Sequence, residues 1–179
     1  MKKLILIIFA ALSLSVFADH HESAPMTTDG AFTTLMIAAP DIDKYTETLR
    51  ENPSAFQATG TTGAGVCVTN SGNDYAGQMM VWSAFPDVAT ALTGGTKYDP
   101  QRAPRSFERL REIKYGVTWK PLTPFRLEPG YERVQRIKVS AENLQAFSEG
   151  LNKLESSIKS AGHHNFYNGA FVQIGGGTH

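Results

Sequence analysis

Three stretches of this chain carry side chains whose types and spacing could do chemistry. The first is Asp19-His20-His21. If Asp19 is the first residue of a mature chain, its α-amine, two backbone amides and the His21 imidazole can surround Cu(II) or Ni(II) in a square plane. No proline blocks either amide, so Asp19 and His21 are the candidate metal ligands, and Cu or Ni the candidate cofactor. The competing reading is a solvated tail with two incidental histidines. The second stretch is His163-His164, in the turn after a long helix, where adjacent imidazoles diverge and cations suit the helix C-terminus. A capping role is expected there. The third is "GQMMVWSAF" with the preceding Tyr75, which concentrates bulky side chains in one strand. On alternation Met80 and Trp82 share one face, and Met79 and Val81 the other. One face must pack on helices; the other could line an apolar pocket, with Met80, Trp82 and Tyr75 as candidates. Core packing is the plainer account of the same run.

The remaining features point to no reaction. Cys67, the single cysteine, lies between valines and reads as a small core residue. Arg102, Arg105, Arg109 and Arg111, interleaved with Glu108 and Glu112, read as a salt-bridged solvent face. Gly175-Gly176-Gly177 lacks the Lys and Ser or Thr of a phosphate loop. No Ser-His-Asp spacing, carboxylate pair or Cys-x-x-Cys is present.

These side chains need elements to position them, and the chain opens with a segment of another kind. "MKKLILIIFAALSLSVFA" has a basic start, an apolar run too short to span a bilayer, and small residues before Ala18. It predicts a signal peptide over residues 1–18, cleavage after Ala18, and a periplasmic or secreted protein with no stable membrane span. Loss of Lys2 and Lys3 leaves 15 basic against 17 acidic residues. A weakly acidic chain without a basic stripe is not built to bind nucleic acid.

Residues 19–30 are polar and expected to be a flexible mature N-terminus. From Ala31 the pattern predicts an α+β fold. "AFTTLMIAAP" reads as a strand, and Asp41 caps a helix with Ile42, Tyr45 and Leu49 on one side. "GAGVCVTN" and "GQMMVWSAF" form a hairpin across a Gly-Asn-Asp turn. A helix follows Pro86, interrupted by "TGGTKYDPQRAP". A second helical piece, "PRSFERLREIKYG", puts Phe107, Leu110 and Ile113 together and ends at Gly116. "VTWKPLTPFRLE" is extended and limited to an edge by Pro121 and Pro124. Residues 31–127 thus follow the β-α-β-β-α-β order of a ferredoxin-like unit. Residues 128–179 begin it again: "YERVQRIKVS" as a strand, then a helix with Leu144, Phe147, Leu151, Leu154 and Ile158 at helical spacing, closed by Gly162. "NGAFVQIGGG" is the last strand. This second unit is truncated, so its final strand must find a partner outside the unit, and the proline-limited strand of the first unit or its hairpin is the available edge. A fragment of a longer chain, and self-association, are the corresponding expectations.

Two such units in tandem resemble the dimeric α+β barrel superfamily, which includes antibiotic-biosynthesis monooxygenase-like and haem-binding members. The resemblance covers roughly residues 31–179 and lies in element order and in "GQMMVWSAFPDVATAL". It implies a barrel that binds a small apolar or aromatic molecule, a homodimer among its partners, and a cofactor-free or haem-linked monooxygenase as one possible activity. The Asn, Trp and His set of haem-degrading members is not placed here, so no family site is carried over. A non-catalytic interaction module is the third class.

Overall fold

The computed structural model describes residues 28–99, 102–125 and 130–177. The predicted signal peptide and the candidate metal ligands Asp19 and His21 lie outside them. The described chain is α+β, built on one five-stranded antiparallel sheet. The elements are β1 (Ala31–Ala38), α1 (Ile42–Glu51), α2 (Ser54–Ala58), β2 (Gly63–Val68), β3 (Gln78–Phe85), α3 (Val88–Lys97), α4 (Arg105–Glu108), β4 (Glu112–Pro121), α5 (Leu144–Ser160) and β5 (Phe171–Gly176). The sheet order is β2-β3-β1-β4-β5. Its first four strands carry the connections of a β-α-β-β-α-β unit.

Pairing fixes which side chains share a face. Leu35 sits opposite Val81, and Ile37 opposite Met79. This face receives the helices. Ile37, Tyr45 and Met79 are fully buried, with Ile42, Leu49, Phe56, Phe107, Leu110 and Ile113 packed round them. Each such side chain contributes about 1.5–3 kcal/mol through removal from water. α1 is placed by Asp41, whose carboxylate accepts the Lys44 N–H at 2.9 Å. α3 is placed in the same way by Asp87, which accepts the Thr90 N–H at 2.6 Å. α3 also runs straight through Gly94-Gly95, which the sequence suggested as an interruption. Gly94 is used for contact: a Cβ there would meet the Thr59 carbonyl oxygen at 2.7 Å and the Phe85 ring at 3.1 Å.

Two further expectations are corrected. The helix over "PRSFERLREIKYG" stops at Glu108, and β4 begins at Glu112, so Ile113, Tyr115 and Gly116 are strand residues. Strand pairing to β1 won over helical spacing, and a bulge between Met36 and Ile37 absorbs the extra residue, Lys114. The segment 131–139, expected to open a second unit, has no regular structure and makes no strand pair. A tandem repeat of ferredoxin-like units is therefore not formed by the described residues. The long helix is present as α5, and a backbone bond from His163 to Ile158 wraps its end, with Gly162 at φ 100° supplying the left-handed turn. β5 pairs with β4, from Val117↔Gly176 to Pro121↔Phe171. The terminal strand thus takes the proline-limited edge that the sequence made available.

Candidate functional site

The opposite face of the sheet is where chemistry-bearing side chains gather. Thr34 pairs with Trp82 and Val117, and Met36 with Met80 and Tyr115. Cys67 pairs with Met80, and Gly65 with Trp82. The face therefore presents Cys67, Met80, Trp82, Met36, Thr34, Tyr115, Val117, Phe32 and Trp119, and none of the helix residues of the main core packs on it. Its far end is closed by rings. Phe32 stands edge-on to Phe171 at 4.8 Å between centroids, and Phe171 edge-on to Phe125 at 4.4 Å. The Trp119 indole donates to the Thr34 hydroxyl at 2.9 Å, which satisfies a polar tip in an apolar setting. At the other end Met80, Trp82 and Cys67 are only half-buried.

Trp82 has a defined seat. Its indole lies flat over Gly65, so closely that a Cβ there would sit 2.5 Å from Cζ2. Burial, and after it the Glu132 charge, pushes the Cys67 thiol up from its ordinary value, against the pull of the Trp82 side chain. Cys67 is thus held as the neutral thiol.

The segment 131–139, a strap, is tied to this face at Tyr115 of β4: the Arg136 guanidinium donates to its hydroxyl and lies 5.3 Å from the centroid of its ring. Tyr75 stands at the hairpin end, its ring beneath the Lys114 ammonium at 5.1 Å. Its hydroxyl is buried without a hydrogen-bond partner, and burial followed by the Asp74 charge pushes its pKa up while Arg136 pulls it down.

The structure brings Met80 and Trp82 onto one face as alternation implied, and places Tyr75 by Lys114 beside the reach of Arg136. His163 and His164 line an open depression of about 800 Å³ with Ile158 and Phe166. Among the described residues no three His, Cys, Asp or Glu side chains gather to hold a metal.

Two groups escaped the sequence reading. Arg111 is buried rather than on a solvent face. It donates to the Tyr45 hydroxyl at 2.6 Å and to Tyr98 at 3.4 Å, and lies 5.7 Å from the centroids of Tyr45 and Phe107. Burial pushes the Tyr45 phenol up, opposed by the Arg111 charge. Arg102, by contrast, pairs with Asp99 at the surface, as expected of that run. The other missed group is Tyr115 with Arg136. The alternation Tyr115, Val117, Trp119 was a strand signal, outweighed by the helical spacing of Phe107, Leu110 and Ile113.

No protein-family model matches the chain, and no curated protein matches it. A solved structure similar to it is a conserved protein of unknown function from Bacteroides thetaiotaomicron VPI-5482, described as a possible oxidoreductase. The TM-score is 0.37 at 8% identity, covering 52% of this chain and 99% of that one. A likeness of that size carries no functional argument. The class defined by fold is α+β with a ferredoxin-like connection order. Among the described residues no helix is long and apolar enough to cross a membrane.

Proposed function

We propose that the protein is exported and binds a small apolar or aromatic molecule on the open face of its sheet, at Met80 and Trp82, with Tyr75 toward the rim. One observation carries this reading: on the sheet face opposite the main-core helices, Phe32, Thr34, Met36 and Val117 are buried while the Met80 thioether and the Trp82 indole stay half-exposed. An indole seated by Gly65 offers a flat π surface, and a thioether beside it adapts to the edge of a bound ring. The basic, apolar and small-residue layout of residues 1–18 supports export.

A monooxygenase-like enzyme is the rival reading. Such chemistry wants an activated group beside Trp82, and the Cys67 thiol, held neutral, does not supply a nucleophile.

The test is a titration with 1-naphthol in protein carrying Trp119→Phe, so that Trp82 alone reports. Saturable change in Trp82 emission is expected, and Met80→Ala weakens it. Absence of saturation up to millimolar ligand overturns the reading. So does outright unfolding by Trp82→Ala, which would assign Trp82 to core packing.

A further inference from the structure

The strap also presents an unused surface. Residues 131–139, "YERVQRIKV", have the β-branched and aromatic composition of a strand, yet none of their backbone groups bonds to another backbone group among the described residues. Tyr131 is 98% exposed, Val134 74% and Ile137 58%. Three large apolar side chains so placed within seven residues are unusual on a monomer. The segment is nevertheless anchored, because Arg136 is fastened to Tyr115.

We propose that this segment pairs antiparallel with the same segment of a second copy, about a two-fold axis at Val134. Symmetric antiparallel pairing requires one residue to face itself. Centring on Arg133 or Arg136 sets arginine against arginine, which is destabilising. Centring on Gln135 sets Val134 against Arg136 and Ile137 against Arg133. Centring on Val134 opposes no like charges: it sets Val134 against Val134 and, twice each, Tyr131 against Ile137, Glu132 against Arg136 and Arg133 against Gln135. The guanidinium has donors to spare beyond the one used on Tyr115. A second copy of the chain fits better than an unrelated partner because the segment is complementary to itself in charge and in apolar pattern. The anchor at Tyr115 means that little ordering opposes association. This inference does not rest on ligand binding, and its test reads association alone.

Sedimentation of the mature chain at micromolar to submillimolar concentration should show a monomer–dimer equilibrium. Val134→Lys sets like charges against each other on the axis, at an exposed position where the fold tolerates it. Glu132→Arg reverses two cross-strand pairs, and each variant should weaken the dimer by about tenfold or more. Adding Arg136→Glu to Glu132→Arg restores the pairs and should recover most of the loss, while Tyr115→Phe controls for the anchor. In a Cys67→Ser background, Val134→Cys should form an intermolecular disulfide readily and Gln135→Cys should not. A monomer at all concentrations overturns the proposal. A dimer indifferent to Val134→Lys and Glu132→Arg overturns it as well, and points to the exposed edges of β2 or β5. Cross-linking through Gln135→Cys alone overturns the register.

Discussion

Replacing Gly65 by alanine should move the Trp82 indole while leaving the helix-side core untouched. The new methyl would lie 2.5 Å from Cζ2 and 2.7 Å from Cε2. Carbon contacts settle at about 3.5 Å or more, so the ring must retreat by about 1 Å. Overpacking of this kind costs about 1–3 kcal/mol where a ring is held. Loss of glycine from a strand returns about 0.5–1 kcal/mol, so a net destabilisation of up to about 2 kcal/mol is expected. Gly63 provides the matched control. A Cβ there meets the same indole at 3.9 Å, an ordinary contact. Gly63→Ala should therefore keep only the backbone gain and come out slightly more stable. The assay is urea unfolding together with Trp82 emission and 1-naphthol titration, all in the Trp119→Phe background. Gly65→Ala should shift the emission and weaken binding about tenfold, or about 1.4 kcal/mol. Equal effects from the two alanines, or an unmoved spectrum in Gly65→Ala, would refute the placement of Trp82.

Other expectations follow from single contacts. Tyr45→Phe removes the hydroxyl that receives the buried Arg111 and should cost about 1.5–3 kcal/mol in chemical denaturation. Because burial raises the Tyr45 pKa, the stability it contributes is fully present below about pH 10, the ordinary phenol value. It is lost as pH rises through the folded value, and Tyr45→Phe should flatten that alkaline limb. Cys67 should react with iodoacetamide more slowly than a free thiol, with its pH profile displaced upward; a rate equal to that of glutathione at pH 8 contradicts its seating under Trp82. Mass spectrometry of the exported protein should find Asp19 first. That species should then bind Cu(II) with a square-planar visible band, lost in His21→Ala.

Much of the fold was legible because local signals and tertiary packing agree. Asp41 acts as a cap, Met80 and Trp82 share a face, and the α5 stripe from Leu144 to Ile158 forms a helix. Where they conflict, packing decided. Leu110 and Ile113 have helical spacing, yet pairing with β1 drew Ile113 into β4. "YERVQRIKVS" alternates as a strand should, but β5 takes the place beside β4, and among the described residues the segment pairs with neither β2 nor β5. Arg111 was illegible for another reason: a buried arginine is defined by Tyr45 and Tyr98, 66 and 13 residues away. The site was half legible. Alternation aligned Met80 with Trp82, but the contact of Arg136 with Tyr115 leaves no periodic trace.

The central claim is that the open face, and not the helix-packed one, receives a small aromatic ligand. The methionines separate the two most directly. Met80 and Met36 lie on the face opposite the main-core helices, Met80 half-buried and Met36 buried, while Met79 is fully buried against the helices. In protein labelled at the methionine methyls, titration with 1-naphthol should shift the Met80 resonance saturably, Met36 less, and leave Met79 in place. Saturable movement of Met79 with Met80 unmoved, or no saturable movement at all, would contradict the account.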